Sequence, residues 1–574
     1  MSLSPLRHST AHLLASAVLN LYPKTKIAIG PAIENGFYYD FEFEKPISEE
    51  DLPSIETEMG KIARENLDFE QAFISATDAK KWAHVNKQPY KEELVEDLKK
   101  KGTKFSFYSH GKFTDLCEGP HVKNTSEIKH FRLLSVAGAY WRGDEKNPML
   151  SRIYGTVFPT KSELDNYLSG LEEAKKRDHK KLGPRLGLFM LSGEAGQGLP
   201  LILPNGKTIL NILQNWARKL HREQGYLEVQ TPHIGKKNLW IKSGHWDLYR
   251  ESMFPAIKVE NQEYLLKPMN CPFHYIIFAN EKRSFRDLPI RIAEFGTVYR
   301  YEKSGELSGL LRIRGLTQDD AHIFLKEDQL RDEFSKLFKL LATYFKALNL
   351  EVEMALSLWD PSNKKKYLGD TKTWEKAQKI LEEELKRQNI AYTKAEGEAA
   401  FYGPKIDPHV KDSLGRKWQL ATLQVDFVQA ERFNLTYTDT DGKEKTPVVI
   451  HRAPLGAFER TLGILTEHFG GAFPVWLAPI QLTIIPISDK NLEFTRKIAK
   501  ELLEAGVRTE INLDSETMQA KIRKSALLKI PYQAIIGNRE EEAGTVAIRS
   551  REGKDLGQML PEKFAELITA NTPV

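Results

Sequence analysis

Cysteine is nearly missing: Cys117 and Cys271 are the only two in 574 residues. A disulfide framework is excluded on that count, and a reducing, cytoplasmic compartment fits. Long apolar runs are missing as well. None reaches the ~18 residues that cross a bilayer, and FPVWLAPIQLTIIPI, the longest candidate, is broken by Pro474, Pro479 and Pro486. The early LLASAV run follows His8 and His12 without a lysine-rich start, which argues against a signal peptide. No membrane partner is expected. Excess charge of one sign is also lacking, since 83 basic against 78 acidic residues leaves +5. That balance permits a nucleic-acid partner without demanding one. No repeat of roughly 20 to 50 residues is visible, and no segment is of low complexity.

What is present suits a soluble globular chain with several cores: 41% hydrophobic, 28% charged and 10% aromatic residues. The length predicts about four domains. Residues 1–158 mix a first apolar helix, alternating stretches such as GFYYDFEFE, and a loop-rich CEGPH region. Thr160 opens a capping-box pattern with Glu163, and a charged helix is predicted from there to Gly183-Pro184, a connector over 159–187. From 188 to 478 strand-like stretches (YLEVQTP, EYLLKPMN, RIAEFGTVYRYE, WQLATLQVDF, TPVVIHR) outnumber helices and are not spaced as βαβ units, which predicts an antiparallel sheet carrying helices. After Pro479 strands and helices alternate, a small α/β pattern over 479–574.

HSTAH puts His8 and His12 on one helix face, and CEGPH repeats the interval with Cys117 and His121. Such a set suits a zinc clamp, or imidazole and thiol chemistry without a metal; unrelated surface histidines are the plainer reading. Gly119-Pro120 argues against a helix at CEGPH. Nucleotide loops are absent: no G-x-G-x-x-G opens a helix, and NGKT at 205–208 has Leu201 where a Walker A loop starts with glycine. A nucleotide would have to be held by arginines, whose planar fork offers phosphate two bonds. VYRYEKSGELSGLLRIRGLTQDDAHIF supplies Arg300 and Arg312, with Gly305 and Gly309 in a loop between strands; a solvated basic hairpin fits those residues equally well. HRAPLGAFERTLGILTEHF places Arg460 on an apolar helix, where burial would require an anionic partner.

Arg300 with Glu302, and GAFER ending at Arg460, resemble motifs 2 and 3 of class II aminoacyl-tRNA synthetases. YLEVQTP, closing on Pro232, resembles motif 1, the dimer-interface element. KPMNCPFH, TQDDAH, FYGPK and IHRA, in this order, are similar to the threonyl-tRNA synthetase family, and the likeness runs from HSTAH through AGAYWRGD to GKDLG. It implies a multidomain α+β protein: an α+β editing domain (1–158), a helical linker (159–187), a class II aminoacylation domain built on an antiparallel β-sheet (188–478) and an α/β anticodon-binding domain (479–574). It also implies a cytoplasmic homodimer that attaches threonine to tRNA(Thr) through threonyl-adenylate, using ATP and Mg²⁺, with one Zn²⁺ per subunit.

Carried over by motif, Cys271, His322 and His451 would hold zinc, which takes the amino group and hydroxyl of threonine. Asp320 would accept from the hydroxyl and Tyr402 would contact the amino group, with Gln318, Lys405 and Gln424 lining the pocket. Arg300 would bridge the carboxylate and α-phosphate; Arg312 and Arg460 would hold the outer phosphates, with Glu302, Gln419 and Thr422 around the nucleotide. His245 stands where the family places a histidine implicated in transfer to the tRNA ribose. His8, His12, Cys117 and His121, beside Tyr39, Lys91 and Asp115, match the editing pocket that hydrolyses Ser-tRNA. Such a pocket answers a physical need, since one missing methyl discriminates only roughly 10–200-fold. Arg523, Glu540 and Arg549 would face the anticodon. The sequence departs from the family at Phe273, where glycine is frequent, at Leu420-Ala421, where Cys-Gly is common, and at Ser515, often asparagine. Relatives often carry a small domain before the editing region, whereas this chain starts seven residues before HSTAH.

Overall fold

The computed structural model describes residues 3–101 and 105–570. Two compact units divide at Glu172/Glu173. In the first, the helix Ser4–Leu21 begins with proline in its opening turn and is apolar nearly all round; Ser9 through Val18 are all buried. A helix with no polar stripe must sit inside a core. Leu13, Leu14 and Val18 pack with Phe37, Tyr39, Phe41, Ile153 and Val157. Those partners lie on antiparallel strands Gly36–Glu42 and Met149–Phe158, which His130–Tyr140 extends. A second sheet pairs Glu70–Ile74, Phe105–His110 and Phe113–Leu116. CEGPH follows its last strand as an irregular loop, as Gly119-Pro120 predicts.

The capping box forms: Glu163 N–H donates to Thr160 Oγ1 at 3.3 Å and Thr160 N–H to Glu163 Oε2 at 3.0 Å. The expected single connector helix is instead two, Lys161–Arg177 and His179–Arg185. Asp178 restarts the chain as an N-cap, accepting from Lys180 N–H at 2.8 Å. Pro184 is tolerated because it lies at the end of the second helix.

The second unit is built on a nine-stranded sheet. Its order is Leu227–Glu228, Ile290–Tyr299, Gly315–Leu325, Val448–Ala453, Thr422–Asp426, Lys405–Lys411, Glu351–Leu358, Tyr392–Glu396, with Lys417–Gln419 also on Lys405–Lys411. The two outer pairs are parallel and the rest antiparallel. Helices Pro204–Glu223, Leu330–Ala347 and Phe458–His468 contribute Leu213, Trp216, Phe334, Leu337, Tyr344 and Leu462 to its core. Two expected strands are shorter than their patterns. YLEVQTP pairs only at Leu227–Glu228, a strand on the sheet edge. WQLATLQVDF breaks at the buried Leu420-Ala421, leaving strands Lys417–Gln419 and Thr422–Asp426. After 479 a separate five-stranded sheet closes over Ile484, Ile498, Leu502, Ala534 and Phe564, with three parallel strands (Thr509–Ile511, Leu482–Pro486, Tyr532–Ile536) and two antiparallel ones.

Candidate active site

Strand register assembles the larger site. His322 is the direct cross-strand partner of His451, His451 of Gln424, and Gln424 of Lys405. Opposed residues sit ~4.5–5.5 Å apart at Cβ and share a face, so four strands line up one row of functional groups. Period-two alternation adds Gln318 and Asp320 from the His322 strand. Asp319, between them, turns away and binds Arg452 Nη1 at 2.8 Å, with His221 at 3.2 Å.

Cys271 starts the helix Cys271–Ala279, whose Pro272 occupies the first turn. The donor atoms of Cys271, His322 and His451 all lie within 4.8 Å of one another, and all three residues are buried. The imidazoles face each other through His322 Nε2 and His451 Nδ1, 3.0 Å apart. Their outer nitrogens are held from behind: His451 Nε2 by Asp426 at 3.0 Å and the Tyr275 hydroxyl at 3.1 Å, His322 Nδ1 by His274 at 2.8 Å. His274 in turn meets Glu294 at 3.3 Å. Burial pushes the Cys271 thiol well above its ordinary range and the His322 imidazolium well below. Three inward-facing neutral or thiolate donors with oriented outer atoms fit a tetrahedral, thiophilic divalent ion.

Two adjoining cavities open on this row. One, of about 320 Å³, is lined by Cys271, Asp320, His322, Tyr402 and His451. The other, of about 480 Å³, is lined by Glu302, Arg312, Lys405, Gln419 and Arg460. Arg300, Gln318, Thr422 and Gln424 belong to both walls. Asp320 accepts from Asn270 Nδ2 at 2.9 Å, and burial raises its pKa. The Tyr402 hydroxyl donates to Gln424 Oε1 at 2.6 Å, and its ring stacks on His451.

Arg312 is fixed by Glu302 at 2.6 Å and Glu306 at 2.9 Å. Arg460 departs from expectation. It is only half-buried and has no carboxylate partner among the described residues; it donates to the backbone carbonyls of Leu311 at 2.7 Å and Gln419 at 3.2 Å. Burial and the nearby Arg312 guanidinium lower its pKa. The anionic partner that such an arginine lacks is what a phosphate would supply.

His245 is placed differently from the other expected residues. It is fully buried, lines neither cavity, and has its nitrogens on Ser243 Oγ at 2.7 Å and Met269 Sδ at 3.0 Å. Its ring lies 3.9 Å from the Cys271 sulfur. The structure thus puts it against Met269 and Cys271, outside the cavity lining, and does not expose it toward a reacting group.

In the first unit the donor atoms of His8, His12, Cys117 and His121 also lie within 4.8 Å of one another. Cys117 Sγ is 3.3 Å from His8 Nε2 and 3.1 Å from His121 Nε2. Beside them Asp115 ties Lys91 at 2.6 Å and the Tyr39 hydroxyl at 2.5 Å. Burial pushes the Cys117 thiol up to about 12; burial, with His8 and His110 nearby, lowers His121 to about 3. The cluster is therefore neutral near pH 7, apart from the Lys91–Asp115 pair. Of the expected anticodon residues, Arg523 and Arg549 are exposed. Glu540 is occupied locally, accepting from Gly537 N–H at 2.9 Å and Gln558 at 2.7 Å.

Against known proteins, the chain is 49% identical over 565 residues to a threonine–tRNA ligase of Thermotoga maritima, covering 98% of this chain and 87% of the relative. The chain belongs to the threonine–tRNA ligase family. The family's enzyme from Acetivibrio thermocellus is 48% identical over 562 residues, at the same coverage. Residues 254–469 match the tRNA synthetase class II core domain (G, H, P, S and T), 481–571 the anticodon binding domain, and 105–154 the threonyl and alanyl tRNA synthetase second additional domain. A crystal structure of the RNA binding domain of threonyl-tRNA synthetase from Cryptosporidium parvum superposes with a TM-score of 0.66 at 36% identity, covering 69% of this chain and 99% of that one. Prolyl-tRNA synthetase from the same organism, at 15% identity and a TM-score of 0.52, shares the fold.

Several residues that this threonine–tRNA ligase fold brings to the sites escaped the sequence reading. Asp407 is a hub: it accepts from Gln419 at 2.7 Å, Thr422 at 3.0 Å and Ser357 at 2.6 Å, and pairs with Lys405. The break at Leu420-Ala421 makes this possible, because Gln419 and Thr422 would face opposite sides of an unbroken strand. Asp426 and His274 orient the imidazoles. In the first unit, Ser9 Oγ holds His121 Nδ1 at 3.0 Å and accepts from Val122 N–H at 3.0 Å. Ser9 lies within HSTAH itself, where a polar residue on a buried helix was the available signal.

Proposed function

We propose that the chain joins threonine to tRNA(Thr) in two steps at the paired cavities and removes misattached serine at the first-unit cluster. The single observation that carries the reading is the shared wall. Arg300 borders both the cavity closed by Cys271, His322 and His451 and the cavity lined by Arg312 and Arg460, so an amino acid and a nucleotide seated there would meet across one guanidinium.

In this reading ATP, taken as its magnesium complex, lies in the larger cavity with its outer phosphates on Arg312 and Arg460. Arg300 draws the threonine carboxylate and the α-phosphate together, and a carboxylate oxygen attacks phosphorus in line as pyrophosphate leaves. Fixed guanidinium charges stabilise the developing anion without reorganising, the largest catalytic contribution such a site offers. Lys405, held by Asp407, adds charge at the junction. The ribose hydroxyl of tRNA then takes the threonyl group and AMP departs.

Cys271, His322 and His451 would hold Zn²⁺, which when bound supplies open coordination positions for an amino group and a hydroxyl. Valine, lacking the hydroxyl, would leave one position unfilled and would offer Asp320 no hydroxyl to accept from. Serine passes that test, and the neutral His8, His12, Cys117 and His121 would hold its ester beside a water for hydrolysis, too tightly to admit the threonine methyl. The exposed apolar side chains of Met190, Leu191, Leu201, Leu227 and Ile234 support a homodimer through the catalytic unit.

The test is ATP–pyrophosphate exchange. Exchange should depend on threonine, and Cys271→Ala should reduce it at least about 100-fold while lowering bound zinc. Exchange driven by another amino acid and not by threonine would end the reading.

A further inference from the structure

His179 lies outside both cavities, on the short helix His179–Arg185, and is completely buried. Its two ring nitrogens join elements far apart in sequence. Nδ1 lies 2.5 Å from Glu467 Oε1, at the end of the helix that carries Arg460, and the His179 backbone N–H also reaches that oxygen at 3.1 Å. Nε2 lies 3.0 Å from the backbone nitrogen of Leu310, in the loop that carries Arg312. An amide N–H can only donate, so Nε2 accepts and the proton sits on Nδ1, facing the carboxylate.

Glycine makes room for the ring. A Cβ at residue 309, where φ is +51°, would lie 2.1 Å from Nε2. One at Gly463 on the Arg460 helix would come within 3.2 Å of Leu310 and Leu311. The same loop closes a second link, since Leu311 carbonyl accepts from Arg460. The buried Leu310 N–H has no other partner among the described residues.

We infer that His179 is a positioning residue for ATP: it pins the root of the Arg312 loop to the Arg460 helix, so that the two phosphate-binding guanidiniums hold a fixed separation. This rests on the nucleotide reading of the larger cavity. The threonine cavity owes nothing to the link, because His451 is held by Asp426, His322 by His274, and Cys271 by its place at the start of the helix Cys271–Ala279.

The experiment measures KM for ATP and for threonine separately in pyrophosphate exchange, on the full chain. His179→Ala should raise the KM for ATP about tenfold, the effect of orphaning one buried amide, while the KM for threonine moves less than about twofold. His179→Gln, whose carbonyl oxygen can accept from Leu310, should recover most of the ATP affinity. Gly309→Ala, which drives a methyl into Nε2, should reproduce the ATP defect if His179→Ala does not fold. An unchanged KM for ATP in a folded His179→Ala or Gly309→Ala protein, equal rises for both substrates, or no recovery with glutamine overturns the assignment. Absence of threonine-dependent exchange in the unaltered protein overturns the nucleotide reading, and this one with it.

Discussion

His110 shows what a buried polar ring costs. It is 2% exposed, it packs against Phe69 and Phe113, and neither ring nitrogen has a hydrogen-bond partner among the described residues. Burial lowers its pKa from 6.5 to about 4. The sign follows from linkage: the unfolded chain takes up the proton below pH 6.5 and the folded chain does not until about 4, so acid favours unfolding across that window. The penalty grows by about 1.4 kcal/mol per pH unit, to roughly 3 kcal/mol. His110→Phe should therefore stabilise the protein by about 1 kcal/mol at pH 8 and by distinctly more at pH 5, in thermal unfolding followed at both. Equal gains at the two pH values would show that His110 does not charge on unfolding. His110 was invisible in the sequence because HGKF looks like a turn; only pairing of Phe105–His110 with Phe113–Leu116 turns that ring inward. By contrast Cys271, His322 and His451 were legible, but through family motifs, since their spacing carried no geometric information.

At the scale of the element, the Gly315–Leu325 strand serves two chemistries on its two faces. On the dry face, burial alone would raise the Asp319 carboxyl, but His221 and Arg452 outweigh it and hold it at about 2. Asp319→Asn leaves Arg452 buried without a counter-charge, and a loss of roughly 3–5 kcal/mol is expected, measured by urea unfolding. A loss below about 1 kcal/mol would mean that water reaches Arg452. Element types were legible from period and capping signals, as the Thr160–Glu163 box and the alternating strands after 479 illustrate. Interruptions were not. Asp178 restarts a helix because its own carboxylate caps the Lys180 N–H, and Leu420-Ala421 splits a strand because Asp407 across the sheet takes both Gln419 and Thr422. The second partner is set by the tertiary fold.

For the whole molecule, the two proposed activities fall on separate compact units, so either should fail without the other. With tRNA and serine supplied, the unaltered protein should accumulate little stable seryl-tRNA, while His8→Ala/His12→Ala should accumulate it at a rate about 10–200-fold below threonine charging. Threonine charging itself should be unchanged. Equal seryl-tRNA from both proteins would deny the first unit a hydrolytic role. One feature of the central strand reaches to this scale. Because Gln318, Asp320 and His322 alternate with Asp319, a slip of one residue would turn the Asp319 carboxylate away from Arg452 on the neighbouring strand and drive three cavity-lining groups into hydrocarbon. A chain that mispaired there would lose its core together with its pocket, so a ligase that folds soundly but chooses the wrong amino acid is a product this strand can scarcely make by misfolding.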